Sequence, residues 1–275
     1  MKFGTLILND LSLAYTDTET AGRGPGILLI HGNSGSRGVW AAQLDGELAR
    51  HARLVALDLP SHGDSAPLPE GDDTLAAMAR LVASAADALG LADAILVGHS
   101  LGGHLLLEAA GAGWLPHARG LMIHGSPPLS GPADFGRAFN PNPVAMAAFT
   151  ANPTEAEIDA LLAAWFGPKG SPPPSAKVDF LRAHAPIRAQ LGSALLSGRM
   201  LNERRVVAEL KIPLAVLNGD DDPFMNVDYL DELEMPTLWG RRIQSIPGAG
   251  HFIQSDRPAA YNTLLAEFAA DLAGG

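Results

Sequence analysis

Short apolar runs alternate with longer amphipathic segments along the first 126 residues. Hydrophobic residues fill nearly every position of these runs, which is typical of strands covered on both faces of a parallel sheet. The predicted strands are residues 26–30, 53–57, 94–97 and 120–123, and the predicted helices are residues 39–50, 74–89 and 101–110. Residues 3–8 and 11–16 are predicted to form a hairpin that turns at Asn9-Asp10. This alternation predicts an α/β fold built from βαβ units.

The pattern changes after residue 126. Eleven of the 21 prolines lie between Pro127 and Pro186, and this segment contains no convincing strand. Helices are predicted at residues 143–150, 154–166, 175–183 and 187–201, the second beginning with the capping-box pattern Thr154-x-x-Glu157. Because a structureless loop of this length is improbable in a compact domain, we expect residues 127–201 to form a helical cap over the functional edge of the sheet.

The α/β pattern then returns, with strands predicted at residues 213–217 and 242–246 and helices at residues 227–233 and 258–272. Residues 1–126 and 202–275 are therefore predicted to form one core domain, into which the cap is inserted. The expected core is a mostly parallel central sheet flanked by helices.

Composition narrows the function classes. The 275 residues are 47% hydrophobic and 18% charged, with a formal net charge of −11, so a nucleic-acid partner is not expected. The absence of cysteine excludes disulfides, thiolate metal sites and a cysteine nucleophile. The N-terminal apolar run breaks at Asn9, too early for a signal peptide, and no run is long enough to insert into a membrane. We therefore expect a cytoplasmic protein that is a monomer or a homodimer.

The strand at 94–97 leads into Gly98-x-Ser100-x-Gly102, and a helix is predicted directly after it. A sharp turn between a strand and a helix exposes a serine hydroxyl, and small residues on either side let neighbouring backbone pass close. The N–H group of Leu101 then points to where negative charge develops during attack on a carbonyl group. This stretch predicts that Ser100 is a nucleophile.

A serine nucleophile needs a base and an orienting carboxylate. His251 follows the strand at 242–246 in a glycine-rich loop, which places it at the carboxyl edge of the sheet. Three aspartates, Asp220, Asp221 and Asp222, follow the strand at 213–217. Asp222 is the preferred acid because the following proline confines it to extended backbone, and Asp220 and Asp221 remain alternatives.

The order Ser100, Asp222, His251 resembles that of α/β-hydrolases, and the resemblance covers nearly the whole chain. His31-Gly32-Asn33 is similar to that family's oxyanion-hole loop, and residues 58–65 are similar to its D-x-P-x-H-G-x-S turn. The resemblance implies the α/β-hydrolase fold and an oxyanion hole formed by the N–H groups of Asn33 and Leu101.

A narrower resemblance is to metal-independent N-acyl homoserine lactone lactonases of this fold, which act in quorum quenching. It rests on His31-Gly32-Asn33-Ser34, Trp40-x-x-Gln43-Leu44, Gly98-x-Ser100-Leu101-Gly102-Gly103-His104, Gly120-Leu121-Met122-Ile123-x-Gly125-x-Pro127-Pro128, Asn218-Gly219-x-Asp221-x-Pro223-Phe224 and Leu238-Trp239. Those lactonases carry Glu where this chain has Asp222, and either carboxylate can hold an imidazole. The cap, which selects the acyl group, is the part that matches poorly.

The resemblance implies a serine hydrolase that opens the lactone ring and needs neither a metal nor another cofactor. The implied ligand is a small ester or lactone with an acyl chain. The residues expected to line its pocket are Ser34, Phe139, Met146, Phe149, Trp165, Phe166 and Phe224. Three alternatives remain: a carboxylesterase of another small ester, an acylase, and a receptor or cofactor-free oxygenase that keeps the same residues.

Overall fold

The computed structural model describes residues 1–21, 24–69, 71, 74–167 and 170–274. Eight strands form one sheet in the order β1-β2-β4-β3-β5-β6-β7-β8. The strands are β1 (Lys2–Leu8), β2 (Leu11–Asp17), β3 (Ile27–Ile30), β4 (Leu54–Leu57), β5 (Ile95–His99), β6 (Gly120–His124), β7 (Leu214–Gly219) and β8 (Gln244–Ile246). All eight predicted strands are confirmed.

The sheet is parallel from β4 through β8, whereas β1 and β2 are antiparallel to each other and β2 is antiparallel to β4. The β1–β2 hairpin turns at Asn9 and Asp10, which both have positive φ. Asparagine and aspartate tolerate this left-handed conformation better than other non-glycine residues, which explains the turn.

Apolar side chains pack on both faces of the sheet. In β3, Leu28 and Ile30 join one hydrophobic cluster, whereas Ile27 and Leu29 join the cluster on the other face. Successive side chains of a strand point to opposite faces, so a strand covered on both sides must be apolar throughout. This is why the continuous apolar runs predicted buried strands.

Helices cover both faces and fill the connections. They are α1 (Ala41–Leu44), α2 (Thr74–Ala88), α3 (Leu101–Gly111), α4 (Phe135–Ala138), α5 (Glu155–Trp165), α6 (Pro174–Arg182), α7 (Ala185–Leu196), α8 (Glu203–Glu209), α9 (Val227–Asp231), α10 (Ile253–Asp256) and α11 (Pro258–Ala273). Residues 143–149 form a 3-10 helix. None of these helices, which lie in the described part of the chain, is long and apolar enough to cross a membrane.

Two helix predictions were wrong in their extent. The single helix predicted at 39–50 is a 3-10 turn, the short α1 and a second 3-10 turn, interrupted around Gly46. The helix predicted at 187–201 is α7, which ends at Leu196, and a separate α8 follows. Gly198 has φ of 70° and the Arg199 N–H donates to the Ala194 carbonyl, which is the geometry of a glycine C-cap.

The segment between β6 and β7 contributes a third hydrophobic cluster. Leu161, Trp165 and Phe180 from this segment pack there with Phe224, which follows β7, and Phe252, which precedes α10. The inserted helices therefore lie against the loops at the carboxyl ends of the last two strands. The architecture confirms the expected α/β-hydrolase fold. The division into a core and a cap at residues 127 and 201 stays a prediction.

Candidate active site

Ser100 lies between β5 and α3 with φ of 50° and ψ of −117°. Positive φ is strained for a residue with a Cβ, and such strain is found where a side chain must be held in one exposed direction. Two hydrogen bonds hold the turn: the Ser100 N–H donates to the His124 carbonyl at 2.8 Å, and the Ser126 hydroxyl donates to the Ser100 carbonyl at 2.7 Å. The turn therefore has the geometry that the sequence predicted for a nucleophile.

The glycines on either side of Ser100 are required by close backbone contacts. A Cβ on Gly98 would lie 2.5 Å from the Gly103 nitrogen, and a Cβ on Gly102 would lie 2.5 Å from the Ile30 carbonyl oxygen. Neither contact can be relieved by rotating a side chain, because the opposing atoms belong to the backbone. The structure therefore contains the close backbone contacts that the G-x-S-x-G pattern predicted.

His251 and Asp222 lie in direct contact. His251 Nδ1 is 2.7 Å from Asp222 Oδ2, and both side chains are more than nine-tenths buried. The second oxygen of Asp222 accepts a 2.9 Å hydrogen bond from the Phe224 N–H. An acceptor at Nδ1 fixes the proton on that nitrogen and leaves Nε2 of His251 able to accept one.

Of the three consecutive aspartates, Asp222 is the one that reaches His251. Asp220 and Asp221 are exposed, and Asp220 instead accepts a hydrogen bond from the Ser245 hydroxyl. The loop is turned by two backbone bonds, from Asp222 N–H to the Gly219 carbonyl and from Asp221 N–H to the Ala249 carbonyl. These bonds bring the end of β7 against the loop that carries His251.

The space around the His251 ring is tightly limited. A Cβ on Gly125, which has φ of 62°, would lie 2.6 Å from His251 Cε1, so only glycine fits opposite the imidazole. The rings of Phe224 and His99 lie 5.5 Å and 5.0 Å from the His251 ring, centroid to centroid. The imidazole is therefore held on several sides as well as at Nδ1.

Asn33 lies in the loop after β3, directly after Gly32. A Cβ on Gly32 would lie 3.0 Å from the Ser100 Cβ, so the two loops touch. The Asn33 side-chain amide donates to the Ala148 carbonyl at 2.6 Å, which fixes the loop against the inserted segment. Leu101 begins α3, where N–H groups have no partner within the helix. Asn33, Ser100, Leu101 and His251 all line one cavity.

Buried histidines surround this region and are held neutral. Burial lowers the pKa of His31 to about 4 and that of His62 to about 3, and it lowers the pKa values of His99 and His124 well below the usual range. Neutral His31 accepts a 3.0 Å hydrogen bond from the Leu59 N–H at Nε2. This bond ties the loop after β3 to the turn after β4.

The cavity above Ser100 has a volume of about 310 Å³, and its walls are mainly apolar. Five of the seven residues that the sequence assigned to the pocket line it: Phe139, Met146, Phe149, Trp165 and Phe224. The other two were wrongly assigned, because Ser34 and Phe166 line a separate cavity of about 50 Å³. Ser34 is buried behind Asn33, and the Phe166 ring stacks on Phe252 instead of facing Ser100.

Sequence reasoning missed several residues of the cavity wall. Leu129, Phe135, Leu191 and Leu195 lie on its apolar side, and His104 lies on α3 one turn after Ser100. The apolar residues carry no signal that separates them from core residues. His104 was not expected in the pocket, although its position four residues after Ser100 places it on the same helix face. Among the described residues, no group of three or more His, Cys, Asp and Glu side chains is placed to hold a metal ion.

Two crystal structures of N-acyl homoserine lactonase AidH are similar to this chain over nearly its full length. A serine-to-glycine mutant complexed with N-hexanoyl homoserine lactone is 30% identical, with a TM-score of 0.91 over 99% of this chain and 98% of that one. A complex with N-butanoyl homoserine is 31% identical, with the same TM-score over 99% and 97%.

The curated relatives are more distant or are matched only in part. A 2-hydroxy-6-oxo-6-phenylhexa-2,4-dienoate hydrolase from Burkholderia cepacia is 25% identical over 98% of this chain and 96% of its own. Three others, which include a component of the acetoin cleaving system from Cupriavidus necator, are matched over only 22% to 38% of their length. A family model described as the alpha/beta hydrolase family matches residues 27–264. This match covers most of the chain, and the protein therefore belongs to the α/β-hydrolase family.

Proposed function

We propose that the protein is a serine hydrolase that opens the lactone ring of N-acyl homoserine lactones. The observation that carries this proposal is the likeness to N-acyl homoserine lactonase AidH, which extends over 98% to 99% of both chains and so includes the segment between β6 and β7. The mainly apolar cavity above Ser100 also suits a ligand with an acyl chain.

In the proposed first step, His251 Nε2 removes the proton of the Ser100 hydroxyl, and the oxygen attacks the lactone carbonyl carbon. Asp222 holds the imidazole in the required tautomer and stabilises its charged form through the 2.7 Å contact at Nδ1. The N–H groups of Asn33 and Leu101 stabilise the tetrahedral oxyanion, and losing one such donor typically costs about 10²–10³ in rate.

In the second step the ring oxygen leaves as an alcohol and takes the proton from His251. Because the alcohol is tethered to the acyl group, the acyl-enzyme carries the whole opened substrate. Water, activated by His251, attacks this ester and releases N-acyl homoserine together with free Ser100. The net reaction adds one water to the lactone, and every catalytic group in the proposed steps belongs to this chain.

The acyl chain is proposed to lie along the apolar wall formed by Phe139, Phe149, Trp165 and Phe224. Three of these four residues belong to the segment between β6 and β7, so residues 127–201 act as a cap that selects the acyl group. Met146 is 61% exposed and also lines the cavity, so a longer acyl chain is proposed to extend past Met146 toward solvent.

The test is a substrate panel of N-acyl homoserine lactones, simple esters and amides, with product masses determined by mass spectrometry. The proposal expects a single product heavier than the lactone by one water. Free fatty acid together with intact homoserine lactone would instead identify an acylase. A Ser100→Ala variant, assayed in parallel, separates enzymatic from spontaneous ring opening.

A carboxylesterase of another small ester is the second candidate. A pimeloyl-[acyl-carrier protein] methyl ester esterase from Xanthomonas oryzae is 37% identical over 110 residues, which cover 40% of this chain. Faster hydrolysis of simple esters than of any lactone in the same panel would favour this candidate. A serine-reactive phosphonate that fails to label Ser100 would contradict both, and would favour a non-hydrolytic relative of this fold. Cytoplasmic location and the monomeric or dimeric state stay predictions.

A further inference from the structure

A second histidine–carboxylate pair lies beside Ser100. His104 is one helical turn further along α3, and its N–H donates to the Ser100 carbonyl. Its Nδ1 lies 2.9 Å and 3.0 Å from the two oxygens of Glu203, the first residue of α8, whose side chain is fully buried. Glu203 also accepts a 3.0 Å hydrogen bond from the Leu129 N–H. The imidazole is therefore fixed in one orientation.

His104 lines the cavity above Ser100, and Glu203 binds only one of its two ring nitrogens. Nδ1 is occupied by Glu203, the side chain keeps about 10% of its surface exposed, and the residue lines the cavity above Ser100. A turn of α-helix rises about 5.4 Å, so His104 lies close to Ser100 along the helix, where the unbound Nε2 can reach the cavity. Nε2 of His104 has no part in the mechanism proposed above.

Charge around His104 favours its protonated form. Burial alone lowers the pKa of His104, but the carboxylates of Glu203 and Glu108 outweigh this effect and raise the pKa above its usual value. Burial raises the pKa of Glu108 to about 7, and Glu108 also accepts a hydrogen bond from the Leu201 N–H. In the protonated imidazole both nitrogens carry a proton, so Nε2 is a hydrogen-bond donor.

This donor faces a wall that is otherwise mainly apolar. Among the described residues that line the cavity, the side-chain amides of Asn33 and Asn140 already donate to the carbonyls of Ala148 and Met225. Leu129, Phe135 and Leu191 lie on the same wall. A charged donor in such a place stabilises a ligand only if the ligand brings an acceptor oxygen to it.

Building on the lactonase function proposed above, we propose that His104 donates a hydrogen bond from Nε2 to the amide carbonyl oxygen of an N-acyl homoserine lactone. That oxygen belongs to a carbonyl three bonds from the lactone carbonyl carbon, so one substrate reaches both Ser100 and His104. His104 thereby selects lactones that carry an amide on the ring and discriminates against those with a plain alkyl chain. Losing a hydrogen bond from a charged group typically lowers kcat/KM by about 10- to 100-fold.

The test compares N-hexanoyl homoserine lactone with α-heptyl-γ-butyrolactone, in which two methylene groups replace the amide. In His104→Leu, kcat/KM for the amide substrate falls about 10- to 100-fold, and kcat/KM for the alkyl lactone changes by no more than about 3-fold. His104→Gln, which keeps an amide donor on a side chain of similar reach, retains part of the preference. Comparing the variants cancels the intrinsic difference in reactivity between the two lactones.

A merely structural role for the pair with Glu203 gives a different result. If His104 served only to attach α8 to α3, both substrates would lose activity equally, which would overturn the proposal.

The wild-type protein supplies a second measurement that needs no variant, since deprotonation of His104 turns Nε2 from a hydrogen-bond donor into an acceptor. The amide-to-alkyl ratio of kcat/KM falls as the pH rises through the raised pKa of His104, and a ratio that stays constant contradicts the proposal.

Ser100 and His251 act on both lactones, so their own pH dependence cancels in this ratio. Glu203 and Glu108 are the carboxylates that face His104, and Glu203→Gln lowers the pH at which the ratio falls. If the enzyme hydrolyses neither lactone, the lactonase function itself fails. If it hydrolyses both without preference in every variant, only the role of His104 fails.

Discussion

At the scale of single residues, Ser100 combines a strained backbone with a side chain that gives no capping hydrogen bond to α3. Its hydroxyl is therefore not needed to hold the turn. We expect Ser100→Ala to lower kcat by about 10⁶ and to leave the free energy of unfolding nearly unchanged. Steady-state kinetics and urea unfolding measure the two quantities on the same preparation.

His251→Ala is expected to be about as severe as Ser100→Ala. Since the two residues act as one unit, the double variant is expected to be no slower than either single variant. Additive losses in the double variant would mean that another group activates Ser100.

Asp222→Asn is expected to lower kcat by about 10⁴, because the amide can donate to Nδ1 and stabilise the wrong tautomer of His251. Asp220→Asn and Asp221→Asn are matched controls, since both aspartates are exposed and neighbour Asp222 in the chain. They are expected to change kcat by less than about 3-fold. Full activity in Asp222→Asn would remove Asp222 from the mechanism.

The sequence predicted the Ser100 turn and the His251 loop because short-range patterns define them. It preferred Asp222 but kept Asp220 and Asp221 as alternatives, since the choice depends on how the loop turns over Ala249. It missed the pair of His104 and Glu203, because 99 residues separate them and no local pattern links them. Ser34 and Phe166 were misassigned for a related reason. Proximity in sequence to a site residue does not determine which way a side chain points.

At the scale of elements, strands were easier to predict than the helices that connect them. Continuous apolar runs define β3 to β7, and the capping box at Thr154 marked the start of α5. The break in residues 39–50 and the separate α8 were missed, because helical residues continue through both places. Gly198 ends α7 in a left-handed conformation, whereas α1 ends at Leu44 with Asp45 as its C-cap, and periodicity alone predicted neither end.

Asp256 joins two elements of the candidate site. Its buried Oδ2 accepts hydrogen bonds from Gly167, just after α5, at 2.9 Å and from Gly250, just before His251, at 2.8 Å. Oδ1 pairs with Arg257 at 2.8 Å. The Phe252 N–H also donates to the Trp165 carbonyl, so the end of α5 is bound to both sides of His251.

Asp256→Asn is expected to weaken this junction, because an amide cannot accept both N–H groups and pair with Arg257. We expect a loss of about 1–3 kcal/mol in the free energy of unfolding. We also expect kcat to fall about 10- to 100-fold through displacement of His251. Asp231→Asn, at an exposed position on α9, is the control and changes neither quantity. A loss of stability with unchanged kcat would show that the junction does not position His251.

At the scale of the whole molecule, four buried neutral histidines link stability to pH. Burial lowers the pKa values of His31, His62, His99 and His124, so the unfolded chain binds protons that the folded chain does not. Their stabilising contribution is fully present above about pH 6.5 and is lost progressively as the pH falls below it, down to about 4 for His31 and about 3 for His62. Three groups act in the opposite direction, because burial raises the pKa of Glu108 to about 7 and also raises that of Asp179, and nearby carboxylates raise that of His104.

His124→Phe tests this linkage one histidine at a time. Neither ring nitrogen of His124 has a hydrogen-bond partner among the described residues, and the ring packs edge-on against Trp40 and Tyr261, contacts that phenylalanine can keep. Between about pH 5 and pH 6, a buried neutral histidine makes the free energy of unfolding rise by about 1.4 kcal/mol per pH unit. We expect His124→Phe to reduce the slope measured by urea unfolding by about this amount, whatever it does to stability at pH 7. His117→Gln removes an exposed histidine and is expected to leave the pH dependence of the free energy of unfolding unchanged.

Equal slopes in the wild type and in His124→Phe would mean that His124 becomes protonated in the folded protein.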